Sequence, residues 1–350
     1  MKVGFFPLDR RLQLGKHSWT PDMIKKMVHL SVEIPSFARA AACFQRLTNM
    51  PVSRSSLQRT VVEYGGQLVD LQAAEATATV EPPPQFDEAS FRRIPEPDSE
   101  LMAVSMDGAF INIRGEGWKE VKVATLSAVV RGPAVDDGGE PEVKLVKHSY
   151  RAGLWDAATF GRQQWAEACR RGIEQAQHIV TINDGALWIW AIVAMCYAPC
   201  TEILDWWHAV EKLWAMANLL FGPGNELGAA WVQQHKAFFW AGNLRPLFHF
   251  MRTSYPRGEP LPDGLRQALG YFFANRHRLR YHEFRHAGYP IGSGSVESGC
   301  KEVAEARLKP AGMRWSRPGA QAMLALRATL LSERLDEVWP TVECASKKAA

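Results

Sequence analysis

The chain has 350 residues, 47% of them hydrophobic and 22% charged, with a formal net charge of +4. That balance describes a globular chain long enough for two or three cores, and its mild basicity is compatible with a nucleic-acid partner without demanding one. Six cysteines stand without a C-x-x-C pair or an ordered ladder, which excludes a structural zinc site or disulfide framework and points to a reduced, cytoplasmic setting.

The start, MKVGFFPLDRRLQLG, lacks an apolar core of signal-peptide length. From about residue 20 to 75 the pattern is helical. Thr20-Pro21 starts one helix, MIKKMVHLSVE, and IPSFARAAACFQRLTN forms a second, with Phe37, Ala41, Phe44 and Leu47 at helical spacing. After the turn NMPVS, Ser53 is the expected N-cap of SRSSLQRTVVEYG, whose Leu57, Val61 and Tyr64 face inward and which Gly65-Gly66 should stop. Short helices joined by a brief turn, the latter presenting Arg54, Gln58 and Arg59 outward, suit a helix-turn-helix; an ordinary αα-hairpin with surface arginines is the alternative. Residues 76–100, rich in Pro, Ala and acid, are expected to be a linker.

The period then changes. LMAVSMDGAFINI, WKEVKVATLSAVV and VKLVKHSYRAG read as three strands of an antiparallel meander, the first two joined by a hairpin turn at Arg114-Gly115-Glu116-Gly117 and the next two by the longer loop RGPAVDDGGEPE. A helix capped by Asp156 follows, with Trp165, Cys169 and Ile173 on one side, and then the short strand HIVTI, ending at Asn183-Asp184-Gly185. ALWIWAIVAMCYA, about thirteen residues, is too short to span a bilayer and reads as a buried helix. The order strand, strand, strand, helix, strand, helix predicts an α/β layer with a mixed sheet flanked by helices. From about Ile203 to Ala287 the pattern is helical and aromatic with no strand signal, and a last helical region begins at GYPIGSGSVESGCKEVAEARLK.

Three acids occupy unusual places. Asp107 lies inside an apolar strand, Asp184 at the carboxyl end of a strand, and Glu297 in the first turn of a late helix. If that helix packs across the sheet, the carboxylates converge, and divalent, oxygen-loving cations would relieve their repulsion. Taken singly, each has a structural reading: a bulge or turn at Asp107-Gly108, a helix cap at Asp184-Gly185, and a capping-box acid at Glu297.

The local sequences VSMDGAF, TINDGALWI, ILDWWHAVEKLW and YPIGSGSVESGCKEVAEARLKPAGMRWSRPGAQAMLALR resemble bacterial insertion-sequence DDE transposases related to the Mutator group, with similarity running from the start to about Leu331. The resemblance implies an RNase H-like core, with Asp107, Asp184 and Glu297 as catalytic, metal-binding triad for two Mg²⁺ (Mn²⁺ able to substitute). It also implies a supporting Asp-x-x-His pair, Asp205 and His208; residues three apart share a helix face, so a positioning role for this pair is favoured over metal ligation. The implied domains are a helical DNA-binding region (1–75), a linker (76–100), the first part of the core (101–205), an all-α insertion (206–287), the helices completing the core (288–335) and a tail (336–350). Relatives carry further sequence, including a cysteine-paired zinc module, ahead of the GFFPLDRRLQLG segment; this chain begins directly before it, so a truncated or internally started chain is expected.

The implied activity is cleavage at the terminal inverted repeats of an insertion sequence and joining of 3′-hydroxyl ends to target DNA. The implied partners are double-stranded DNA and further copies of the chain, with no membrane, at the bacterial nucleoid. Candidate DNA contacts are Arg54, Arg59, Arg276, Arg278, Arg280, Arg307, Lys309, Arg314 and Arg317, with a solvated basic face as the alternative. The tryptophans Trp206, Trp207, Trp214, Trp231 and Trp240 could stack on unpaired bases, although packing is the commoner use. The rival functions are an RNase H-like resolvase or nuclease, a non-catalytic transposon-derived DNA-binding protein and, more distantly, a two-carboxylate glycosidase.

Overall fold

The computed structural model describes residues 19–81, 94–134, 140–255 and 261–348, with positions 8, 11, 12 and 14 ahead of them. Most of the GFFPLDRRLQLG segment, the middle of the expected linker and part of the RGPAVDDGGEPE loop lie outside the described residues. Three helices come first: α1 (Pro21–Glu33), α2 (Phe37–Thr48) and α3 (Arg54–Val80). Thr20, Ser36 and Ser53 cap them, each side chain accepting a backbone N–H three residues on. Met27, Ala40, Phe44 and Leu57 form the small core among these helices. Leu47, expected inside, is 71% exposed.

The helix expected to stop at Gly65-Gly66 instead runs 27 residues to Val80. The reason is packing. A Cβ on Gly65 would come within 2.8 Å of both Cβ and the carbonyl oxygen of Ala322, so this glycine admits a crossing helix rather than ending its own. The N-terminal helices are therefore fused to the rest of the molecule through α3. Gln72 Nε2 donates to Thr329 Oγ1 at 3.3 Å, and Glu75 accepts from the buried Arg151 at 2.9 Å.

The sheet has five strands: β1 (Leu101–Ile113), β2 (Gly117–Ala134), β3 (Pro141–Gly153), β4 (His178–Asn183) and β5 (Thr201–Leu204). Their order is β3-β2-β1-β4-β5. The first three form the expected antiparallel meander, while β4 runs parallel to β1 and β5 parallel to β4. This is the α/β, mixed-sheet architecture that the RNase H-like resemblance implies. β5 corrects the all-helical reading of this stretch: its four residues are too few to show a period, and its pairing to β4 is what makes it a strand. Lys122 and Val123, on opposite faces of β2, are both buried, because helices cover both sides of the sheet.

Between and after the strands lie α4 (Ala157–Arg170), α5 (Leu187–Cys196), α6 (Trp206–Phe221), α7 (Glu226–Trp240), α8 (Arg245–Ser254), α9 (Asp263–Ala274) and α10 (Tyr281–His286). The helix α11 starts at Gly294, widens into a π-helical stretch over Cys300–Glu305 and ends at Leu308. Then come α12 (Arg317–Leu331) and α13 (Leu335–Lys348). The expected tail is thus helix, docked where Trp339 stacks on Tyr64 with ring centroids 5.4 Å apart. Even-numbered residues of β1 (Met102, Val104, Met106) join a core with α4, α5 and the helices after β5. Ala109, Ile111 and Ile113 of the opposite face join a second core with α3, α11 and α12. No described helix is long and apolar enough to cross a membrane.

Candidate active site

Asp107 shares the odd-numbered face of β1 with Ala109, Ile111 and Ile113, under the helix α11. The β1–β2 register passes through Asp107↔Val123 and Gly108↔Lys122 without interruption, so there is no bulge or turn here. The parallel partner β4 pairs only as far as Val104↔Thr181. Beyond that point the side chain of Asn183 substitutes for the ladder, its Oδ1 accepting Met106 N–H at 2.7 Å. Asn183 thereby fixes the end of β4 to the middle of β1, one residue away from both Asp107 and Asp184.

Asp184 follows β4 directly. Its Oδ1 accepts the N–H of Ala186 at 2.8 Å, a local turn, while α5 begins without a side-chain cap. Glu297 lies in the first turn of α11, which likewise has no side-chain cap, so it is not a capping-box acid. The helix is pressed onto the sheet at Gly299, where a Cβ would sit 2.9 Å from Thr125 Oγ1. Cys300 places its Sγ 3.8 Å from Asp107 Oδ2. The π-helical stretch begins one residue after this glycine; such widened turns are frequent at functional sites.

The Asp107 carboxylate feels the other two acids. Burial pushes the Asp107 carboxyl above the usual carboxylate range, and the charges of Asp184 and Glu297 push it further, against the Gly108 N–H and the nearby His208. Among the described residues none of the three forms an ion pair. Their hard oxygen donors suit Mg²⁺ or Mn²⁺ in kind. In the described conformation, however, no group of three or more His, Cys, Asp or Glu side chains is close enough to hold a metal ion.

The Asp205–His208 pair is tightly built. Asp205 is fully buried and caps α6, its Oδ1 accepting the His208 backbone N–H at 2.8 Å and contacting His208 Nδ1 at 3.0 Å. Its Oδ2 accepts the Ser293 N–H at 2.5 Å, and Trp206 N–H donates to the Ile291 carbonyl at 3.0 Å. The small-residue loop ahead of Glu297 is therefore held by the start of α6. The Asp205 hydrogen bond, opposed by burial and aided by the charges of Asp205, Asp184 and Glu211, raises the His208 pKa from 6.5 to about 9. At neutral pH this side chain is a cation beside the acids.

One site neighbour was not singled out from sequence. Tyr271 of α9 packs over Gly185, where a Cβ would fall within 2.7 Å of the phenol oxygen. Burial raises its pKa well above the usual tyrosine range, and the charges of Asp184 and Asp205 add to that. The helical segment after β5 thus reaches back to the Asp184 corner. Only the glycine after Asp184 hinted at so close an approach.

The expected DNA contacts divide. Arg54, Arg307 and Arg314 line one groove, although Arg307 is 1% exposed rather than a surface residue. Arg59 and Arg276 are exposed, with Arg276 lying over the Phe273 ring at 4.5 Å. Arg278 is committed elsewhere, paired to Glu202 at 2.6 Å and stacked 3.8 Å from the Trp190 ring. Arg317 pairs with Glu116 at 2.5 Å, Arg280 with Glu283 at 2.8 Å, and Lys309 with Glu305. Of the aromatic candidates, Trp206 and Trp231 are buried, whereas Trp207, Trp214 and Trp240 keep exposed surface.

No family model matches the chain, and no curated protein matches it. Among solved structures, the chain is similar to the Drosophila P element transposase strand transfer complex at 11% identity and a TM-score of 0.27, over 95% of this chain and 84% of that one. A likeness of that degree does not by itself assign an activity.

Proposed function

We propose that the chain is a DDE transposase of the bacterial insertion-sequence type related to the Mutator group. It cleaves DNA at the terminal inverted repeats of its element and joins the 3′-hydroxyl ends to target DNA. The observation that carries this reading is that the Asp107 carboxyl on β1 feels the charges of Asp184, after β4, and Glu297, at the start of α11, while none of the three has an ion-pair partner among the described residues. The motif segments VSMDGAF, TINDGALWI and YPIGSGSVESG, which carry the same three acids, support it.

Asp107, Asp184 and Glu297 would hold two divalent ions, and the reading requires the three side chains to draw together on loading. When bound, the ions would supply activation of the attacking oxygen and stabilisation of the leaving one in an in-line displacement. The rest falls to this chain's own groups. Asp205 and Ser293 keep the Glu297 loop fixed to α6. The His208 imidazolium offsets part of the acids' repulsion before loading. Cys300 is not a nucleophile: burial and the Asp107 charge push its thiol far up, so it stays protonated at neutral pH. Double-stranded DNA and further copies of the chain are the proposed partners.

The test is a cleavage and joining assay with Mg²⁺ on DNA carrying the element's inverted repeats. The expected result is nicking and strand transfer at the repeat ends, abolished by Asp107→Asn with DNA binding retained. Cutting of branched DNA regardless of sequence would replace the reading with a resolvase, and binding without cutting would replace it with a non-catalytic DNA-binding protein.

A further inference from the structure

The loop after α11 closes a groove of about 430 Å³ against the first turns of α2 and α3. It is anchored on the end of β1: Arg114 N–H donates to the Trp315 carbonyl at 2.8 Å, and Trp315 N–H to the Asn112 carbonyl at 3.2 Å. Arg54, Arg114, Arg307 and Arg314 all line this groove, and none of its described lining residues is acidic.

Arg307 is the informative member. It is 1% exposed, and its guanidinium lies 4.6 Å from the Phe37 ring and 5.1 Å from the Trp315 ring. Its Nε donates to the Ser31 carbonyl at 3.2 Å, yet both Nη atoms are buried with no hydrogen-bond partner among the described residues. Aromatic faces attract the charge but do not satisfy the in-plane N–H groups of a guanidinium. The neighbouring Arg327 shows the contrast, since its Nε and both Nη atoms reach the carbonyls of Glu302, Val303 and Val32. A buried cation with orphaned donors, in a groove lined by three exposed arginines, is the signature of a missing anion. The positive ends of α2 and α3, helices of 12 and 27 residues, point the same way.

We infer that this groove is a phosphate seat, with the Arg307 guanidinium at its floor and Arg54, Arg114 and Arg314 around its mouth. The seat takes one anionic phosphate group. The proposed DNA-processing activity makes a backbone phosphodiester its source, and the inference rests on that reading only for the source.

The test is binding in EDTA, which removes cleavage from the readout. Inorganic phosphate is titrated calorimetrically, and a labelled duplex of arbitrary sequence is followed by anisotropy over a range of salt. The exposed pair Arg54→Ala/Arg314→Ala is compared with wild type, and Arg307→Met is added where circular dichroism shows it folded. Removal of the two exposed arginines is expected to weaken duplex binding roughly tenfold. The slope of log affinity against log salt should fall by about 1 for each phosphate no longer neutralised, equally for all sequences. Inorganic phosphate should compete with the duplex. If the variants lose phosphate but bind duplex as wild type does, the seat stands and a free phosphate group is its source. Folded variants that bind both probes unchanged overturn the seat. Seat failure with cleavage intact strikes only this inference, whereas binding without cleavage strikes only the catalytic reading.

Discussion

Replacing His208 with glutamine should alter the pH dependence of stability in one direction. An imidazole raised from 6.5 to about 9 has its charged form favoured by roughly 3 kcal/mol at 1.36 kcal/mol per tenfold. The side chain is 36% exposed, and solvent screening cuts the share that reaches stability to about 1–2 kcal/mol. Because the folded-state pKa is raised, that contribution is complete below the ordinary value of 6.5 and disappears as pH rises through about 9. Urea denaturation of the metal-free protein at pH 6 and pH 10 should show the wild type losing about 1–2 kcal/mol more than His208→Gln across that window. Proton NMR of the imidazole should give a midpoint clearly raised above 6.5 in the wild type, the screened shift falling short of the full rise to about 9. A midpoint near 6.5, or identical pH dependence in the two proteins, would refute the claim that a cation lies beside the acids.

The buried carboxylate of Glu167 should be a strong point of stability. Burial pushes its pKa up, but Arg170, Arg151 and Arg334 outweigh this and hold it below the ordinary 4.5. Glu167→Gln should cost about 3–5 kcal/mol in denaturant melts. Since the folded pKa is depressed, the wild-type advantage should be present above the unfolded value and fade as pH falls through the folded one; an advantage constant down to strongly acid pH would contradict this. The adjacent glycines of α3 should respond in opposite ways. Gly66, with nothing within 4 Å of an added Cβ, should gain up to about 1 kcal/mol as Ala. Gly65→Ala should lose about 1–3 kcal/mol through overpacking against Ala322, and equal effects at the two positions would refute the packing account.

Local chemistry made much of this architecture legible. The caps Thr20, Ser53 and Asp156 and the turn before Gly117 are each satisfied by atoms within a few residues, so they show in the sequence. The three acids stood out because a carboxylate in an apolar strand or at a strand end needs a reason. What was hidden depends on distant partners. Gly65-Gly66 looked like a stop because Ala322, more than 250 positions away, is invisible to local reasoning. Arg278 and Arg317 looked free because Glu202 and Glu116, 76 and 201 positions away, could not be seen beside them. The four-residue β5 and the reach of Tyr271 to Gly185 are likewise products of tertiary packing. Arg307 was recognised as a candidate contact, but its burial between Phe37 and Trp315 was not.

The central claim is that the side chains at 107, 184 and 297 share divalent ions. Mn²⁺ titration followed by electron paramagnetic resonance, on wild type and on Asp107→Asn, tests it without any DNA substrate. The account predicts bound Mn²⁺ in the wild type that Mg²⁺ displaces, that Asp107→Asn largely loses, and that weakens as pH falls through the raised Asp107 pKa. A wild type that leaves Mn²⁺ free in solution, or an Asp107→Asn protein that binds it equally well, would contradict the account.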